Sequence, residues 1–350
     1  MNFDTINIDF ANPGHCQSII EIGVNHNGDL DLARQMVREI KKRGGDIVKF
    51  QAFIAEEEIS IHADKASYQK DTTGDDGTGQ LEMAKALELS HGQLTTMRDF
   101  CAEMEMPFLC TAFESKSLEF LLRDLQVKSI KIASSEVTHH PFLAEIARSG
   151  VGMILSTGAS TLEETAAAIR VIEQAKPDPE LVVLHCVSEY PAPLAEVNLQ
   201  AMDTMARAFG YPVGYSDHTV GTIAPITAAA LGACAVEKHF TMDRNMPGPD
   251  HRASIEPDEL SEMVDGMRGA EACLGSGIKV PVPSEIPQIP LIRKAIVARY
   301  PLPVGHVVTE ADIAFKRPRN GIEPFDLDKV LGRALKVAKD TDSPFQWSDL

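Results

Sequence analysis

Short apolar runs alternate with longer segments of helical period from residue 19 to residue 240, and that rhythm leaves very few folds open. The runs are 19–24, 47–50, 108–111, 129–133, 153–156, 181–186, 213–215 and 235–240, and amphipathic stretches such as 30–42, 94–104, 142–148, 162–175 and 198–208 lie between them. A β-branched run of four to six residues bounded by turn residues fits a parallel strand buried on both faces, whereas apolar residues spaced i, i+3, i+4 make an amphipathic helix. Eight such alternations predict an α/β fold of the (β/α)₈ TIM-barrel type rather than an open sheet. No GxGxxG follows a strand and opens a helix, so a dinucleotide-binding sheet lacks its main support.

Two stretches depart from the rhythm. A long polar segment, 52–90, follows the second run and contains DTTGDDGTGQ; a connection of that length reads as a lid over the strand ends. Further on, Pro281, Pro283, Pro287 and Pro290 crowd together, and such a segment reads as a stiff, extended linker. The chain therefore divides into a barrel (1–280), a proline-rich linker (281–292) and a small tail domain (293–350). Segments 295–300, 309–314 and 327–335 of the tail read as short strands and turns. A unit this small is marginal alone, so it is expected to pack against something.

Charge supports the same boundary. Lys and Arg number 10 against 9 Asp and Glu from Glu285 onward, but 23 against 42 before it. The net charge of −18 lacks the basic footprint of a nucleic-acid or membrane-surface binder, and basic groups must be gathered locally if the substrate is anionic. The six cysteines form no CxxC pair and read as reduced thiols. The acidic N-terminus resembles no signal peptide, and no apolar stretch is long enough for a membrane span, so the chain reads as cytoplasmic.

Functional groups of such barrels sit at the C-terminal ends of the strands, and the polar residues here cluster there. They are Glu21 with Asn25 and His26; Lys49 and Gln51; Lys131, Ser134 and Glu136; Ser156 and Thr157; Ser188, Glu189 and Tyr190; Ser216, Asp217 and His218; and Glu237, Lys238 and His239. A lysine inside an apolar strand is costly without a partner, so Lys49 and Lys131 imply either ion pairs with Glu21 or Glu136 or a pocket for a small dianion beside Ser134 and Ser156. His218 and His239 end consecutive runs, so they are able to converge as a two-histidine metal site with open positions; His26 is a further candidate. Such a site suits Mn, Fe, Co or Zn. His139 and His140, before Pro141, read as loop residues, and Asp250 lies in a Gly/Pro-shaped loop after the last run.

These residues stand in stretches that resemble the N-acetylneuraminate (sialic acid) synthase family: EIGVNHNGDLDLA, DIVKFQAF, KIASSE, ILSTGAS, LHCVSEYPAPLAEVNL, GYSDHTVG, VEKHFTMDRNMPGPDHRASIEPDEL and, in the tail, KRPRNGIEP with VLGR. The resemblance implies condensation of phosphoenolpyruvate with an N-acyl hexosamine, giving a nine-carbon 2-keto acid and phosphate. It implies a divalent metal, typically Mn²⁺, on His218 and His239. Phosphoenolpyruvate would be held by Lys49 and Lys131 with Ser134, Ser156 and Ser216 alongside, and Glu136 would lie near the reacting carbon. Glu21, Gln51, Tyr190 and Asp250 match positions around metal and sugar. The tail resembles an antifreeze-like (SAF) domain, whose arginine, here Arg317, reaches the partner's sugar site in a domain-swapped homodimer. Two departures fall on the acceptor side: Ser188 stands where some relatives carry Asn, and Arg319 replaces a glycine beside Arg317. SEYPAP and DHRASIEP look closer to the sialic and legionaminic branches than to the pseudaminic one. A class II metal-dependent aldolase would need a third histidine, and a non-catalytic relative would be expected to lose a lysine or a metal histidine.

Overall fold

In the computed structural model, which describes residues 15–74 and 79–350, eight parallel strands close into a barrel in sequential order. They are β1 (Gln17–Gly23), β2 (Ile47–Ala52), β3 (Phe108–Ala112), β4 (Ser129–Ile132), β5 (Gly152–Ser156), β6 (Leu181–Cys186), β7 (Val213–Asp217) and β8 (Ala235–His239). The acidic N-terminus and part of the DTTGDDGTGQ run lie outside the described residues. Among the described residues no helix is long and apolar enough to cross a membrane.

The strand period of two decides which side chains enter the barrel. Ile19, Ile47, Leu109, Ile154, Leu184 and Ala235 meet as an apolar plug. Two residues further along each strand the inward position turns polar: Glu21, Lys49, Thr111, Ser156 and Glu237 stand above the plug. The intervening residues, such as Ile20, Val48, Phe50, Leu155 and Val236, join the larger core beneath the helices. Gly214 is inward on β7, and a Cβ there would lie 2.4 Å from the Ala235 carbonyl oxygen, so the close approach of β7 and β8 requires glycine.

The helices carry their own start signals. Asp29 caps Leu30–Lys42, and Thr161 with Glu164 forms a capping box on Leu162–Ala175, each satisfying backbone N–H groups that the first turn leaves open. The polar stretch after β2 is not a bare loop. It folds into helices Ala55–Glu58, Ser67–Thr73 and Gln80–Leu87. Phe53, Ala55 and Ala84 pack with Val24, the Ala55 amide donates to Glu88 at 2.9 Å, and Lys85 pairs with Glu56 at 2.5 Å.

The chain divides into two units, Met1–Gly275 and Ser276–Leu350. The second has its own core around Ile296, Val308, Ile313 and Phe345, with an antiparallel pair, β9 (Ala295–Ala298) and β10 (Ile313–Lys316). The proline-rich segment differs from the extended linker expected. Ile286–Gln288 is a 3₁₀ turn and Ile289–Ile292 a helical turn. Pro287 and Pro290 stand in their first turns, where a missing N–H leaves no hydrogen bond unmade. Leu327–Val330, within a segment read as short strands and turns, is a helical turn. A polar hub supplements this small core: buried Asp312 accepts from Tyr300 Oη at 2.6 Å and from the Thr309 amide and hydroxyl, each at 2.7 Å, with His306 Nε2 at 2.9 Å. Burial alone would raise the Asp312 carboxyl, but these hydrogen bonds outweigh it and hold it well below the usual carboxylate range.

Candidate active site

A cavity of about 370 Å³ opens at the C-terminal ends of the barrel strands. Glu21, Lys49, Gln51, Lys131, Ser134, Ser156, Ser188, Tyr190, Ser216, His218, His239 and Asp250 all line it.

Its floor is an ordered array of buried charge. The β1–β2 register sets Glu21 beside Lys49, and Lys49 Nζ lies 2.9 Å from Glu21 Oε2 and 3.6 Å from Glu237 Oε1. Burial opposes the Lys49 charge, yet Glu21 and Glu237 more than offset it and hold the ammonium above its ordinary range. Lys131 is different. It donates to the Ile132 carbonyl at 3.0 Å, and its nearest carboxylate oxygen, on Glu237, is 3.9 Å away. Burial and the neighbouring Lys49 pull its pKa down, with Glu237 opposing. Lys131 is therefore the under-compensated cation of the pair, and an arriving anion relieves it most. The carboxylate shared by the two lysines is Glu237, which the sequence reading passed over for Glu21 and Glu136. It sits two residues before His239 and so on the same face of β8.

Hydroxyls gather beside these ammonium groups. Gly158, just after β5, donates its N–H to Ser134 Oγ at 2.8 Å, and a Cβ there would lie 2.1 Å from Ser188 Oγ and 3.0 Å from Ser134 Oγ. The absent side chain lets Ser134 and Ser188, from the ends of β4 and β6, converge beside the Cys186 thiol. Ser156 Oγ is buried and makes no hydrogen bond among the described residues, an open donor facing the cavity.

The two histidines form the other pole, with ring centroids 5.5 Å apart. His218 Nδ1 lies 2.7 Å from the Val187 carbonyl and must donate to that oxygen; burial opposes its charge, but the Cys186 thiol, the Val187 carbonyl and Asp217 outweigh it and raise the imidazole above its ordinary range. Burial first, then His218 and Lys49, hold His239 well below the usual imidazole range and therefore neutral. His239 Nδ1 is buried without a hydrogen bond among the described residues, and Asp250 Oδ2 is 3.7 Å from it. Burial, with Glu21 adding, pushes the Asp250 carboxyl up to about 6. His239, neutral with an open Nδ1, and His218, whose Nδ1 is committed to Val187 and whose Nε2 is left to coordinate once deprotonated, fit a divalent metal held by two nitrogens. Among the described residues no ready-made cluster of three or more His, Cys, Asp or Glu accompanies them, so the third histidine of an aldolase-type centre is not found. Tyr190 lies over His218 with centroids 4.0 Å apart and the rings tilted by 31°, and it meets His239 edge-on at 5.8 Å.

The structure places the other expected residues away from the cavity lining. Glu136 is not among the lining residues. The 3₁₀ turn Ser134–Thr138 directs Ser134 and Ser135 inward, while the Glu136 carboxylate accepts from Ser135 at 2.9 Å and lies 2.7 Å from His139 Nδ1. His139, set aside as a loop residue, thus holds that carboxylate. His26 is a turn residue whose Nδ1 accepts from the Gly28 amide at 2.9 Å. Asp217 and Lys238 face outward between barrel and helices, paired with each other at 2.5 Å, with Tyr215 Oη donating to Asp217 at 2.9 Å. Arg317 belongs to the second unit, exposed and without a hydrogen-bond or ion-pair partner among the described residues. Arg319 is turned to Glu323 in the same unit.

A parallel (β/α)₈ barrel whose mouth joins two buried lysines, a set of serines and two histidines defines a class: barrel enzymes that bind a small polyanion at the strand ends. The chain belongs to the NeuB family, whose model matches residues 36–279, and residues 293–350 match the SAF domain. It is 41% identical over 341 residues to the N,N'-diacetyllegionaminic acid synthase of Legionella pneumophila, covering 96% of this chain and 94% of that protein. The N,N'-diacetyllegionaminic acid synthase of Campylobacter jejuni is 43% identical over 319 residues, covering 90% and 94%. Among solved structures, the N-acetylneuraminic acid synthetase of Leptospira borgpetersenii, crystallised with citrate, superposes with a TM-score of 0.69 at 29% identity, covering 81% of this chain and 95% of that one.

Proposed function

We propose that this chain condenses phosphoenolpyruvate with an N-acyl hexosamine, releasing inorganic phosphate and a nine-carbon 2-keto acid, and that its acceptor is 2,4-diacetamido-2,4,6-trideoxymannose. One observation carries the reaction: a dianion pocket and a pair of adjacent histidines share one cavity. Two relatives above 40% identity are named for diacetyllegionaminic acid, whereas the sialic acid synthetase stands at 29%, which supports the trideoxy acceptor over N-acetylmannosamine.

The residues divide the work. Lys49 and Lys131, with Ser134, Ser156 and Ser216, hold the phosphate and carboxylate oxygens and stabilise their charge throughout. A divalent metal on His218 and His239, Mn²⁺ in our reading, supplies Lewis-acid polarisation of the acceptor's aldehyde when bound. A bond forms between the methylene carbon of phosphoenolpyruvate and the aldehyde carbon. Water then adds to the former enol carbon, and the C–O bond to phosphate breaks. Glu21 lines the cavity, accepts from Gln51 at 2.8 Å and is pushed up by burial against the pull of Lys49. It is the carboxyl best suited to move the proton at the acceptor oxygen. Gln51, Ser188, Tyr190 and Asp250 orient the sugar.

Mixing the protein with phosphoenolpyruvate, Mn²⁺ and either acceptor is expected to release phosphate only when an acceptor is present. Phosphate release that ignores the acceptor would overturn the reading.

Arg317, exposed and without a partner among the described residues, is proposed to complete the sugar site of a second copy in a homodimer. Mixing R317A with H218A is then expected to restore activity, because in the swapped heterodimer one site carries both lesions and the other carries neither. A mixture shown by mass to contain heterodimer yet still inactive would contradict the swap.

A further inference from the structure

The cavity is chemically two-sided. Its barrel side presents charged and hydroxyl groups. Its opposite side, built by the insertion after β2 with one residue of the β3 loop, presents Phe53, Ile59, Met83, Ala84, Leu87 and Phe113. Phe53 and Phe113 meet edge to face at 6.2 Å, and the packing and ion pairs that anchor helices Ala55–Glu58 and Gln80–Leu87 make this a fixed surface. The polar groups that the insertion adds to the lining are two amides, Gln69 and Gln80, and Glu58, whose carboxyl burial and the nearby Glu136 and Glu114 push up to about 7. Among the described lining residues the insertion offers no lysine or arginine, so nothing on this side welcomes a phosphorylated sugar.

A fully hydroxylated hexosamine placed here would bury a hydroxymethyl group against carbon, leaving its hydroxyl unpaired. A 6-deoxy sugar with two acetamido groups has the complementary surface: three methyl groups for the apolar wall and two amides for Gln69 and Gln80. Met83 is the informative member. It is half-buried and lines the cavity. It belongs to none of the buried clusters, including the one formed by Val24, Phe53, Ala55 and Ala84; its Sδ accepts from the Thr73 hydroxyl at 3.9 Å, a weak contact that M83L also loses, so comparing the two variants separates it from the chemistry of the wall.

Resting on the condensation reading above, we propose that this insertion wall selects the acceptor and that Met83 is a specificity-determining residue: the wall takes the methyl end of a 6-deoxy, doubly N-acylated hexosamine and discriminates against a hydroxymethyl end.

The test compares kcat/KM for 2,4-diacetamido-2,4,6-trideoxymannose and for its 6-hydroxy counterpart, in the unmodified protein and in M83Q and M83L. The unmodified protein is expected to prefer the 6-deoxy sugar by about tenfold or more, the scale on which an apolar pocket discriminates. M83Q keeps the length of the side chain but supplies hydrogen-bonding groups, and is expected to erase most of that preference with the KM for phosphoenolpyruvate unchanged. M83L, still apolar, is expected to keep it. Equal use of both sugars by the unmodified protein would overturn the inference without any variant, as would an M83Q protein that turns over with the preference intact. Either result leaves condensation itself standing, whereas absence of acceptor-dependent phosphate release in the unmodified protein would remove the reading beneath it.

Discussion

H218A and H239A are each expected to lose activity by a factor on the order of a thousand or more, the several kcal/mol that Lewis-acid stabilisation supplies, while the barrel stays folded. Each side chain provides one of two nitrogens, and neither is part of the apolar plug or the helix-facing core. Among the described residues the His218 ring meets the Val187 carbonyl, the Cys186 thiol and the rings of Tyr190 and His239, and His239 Nδ1 makes no hydrogen bond. Chelation of the unmodified protein is expected to abolish turnover as completely, with Mn²⁺ restoring it best. Turnover is to be measured alongside circular dichroism in chelator-treated buffer. Full activity of either variant under those conditions would remove the metal from the account.

The second large effect concerns Lys131. K131M keeps most of the volume and deletes the charge, and the KM for phosphoenolpyruvate is expected to rise ten- to a hundredfold, equivalent to about 1.5–3 kcal/mol for a charged hydrogen bond. The choice of lysine follows from the ion pairs. Lys49 is committed to Glu21 at 2.9 Å, whereas Lys131 has no carboxylate closer than 3.9 Å. Removing Lys131 leaves Glu237 still facing Lys49 at 3.6 Å, so no carboxylate is stranded and the fold is expected to survive. A steady-state KM unchanged from the unmodified protein would show that Lys131 is only structural.

Much of this was legible in the residues because a barrel strand repeats every two positions. The expected runs fall on β1 to β8 with edges one or two residues off, and the helices expected at 30–42 and 162–175 end where expected, since Asp29 and Thr161 mark their starts. The same period would have sorted the strand-end residues further. His239 points inward, so Glu237 does too and Lys238 cannot; reading all three as one group missed the carboxylate shared by the lysines and admitted an outward ion pair. Glu136 was illegible for another reason. It follows the strand in a 3₁₀ turn, where no fixed period says which way a side chain points, and His139 captures it. The insertion helices Ala55–Glu58 and Ser67–Thr73 are too short for a helical period to register. Nor does any local pattern announce that Phe53, distant in sequence from Met83 and Phe113, will share a wall with them. That juxtaposition is made by the fold alone.

The central claim is that phosphate leaves by cleavage of its bond to carbon, after carbon–carbon bond formation in this cavity. Running the reaction in heavy-oxygen water and analysing the released phosphate by mass spectrometry tests it most directly. The account predicts phosphate equal in amount to the keto acid, formed only with acceptor present and carrying no oxygen from solvent. Solvent oxygen in the phosphate would mean that water attacks phosphorus, and would contradict it.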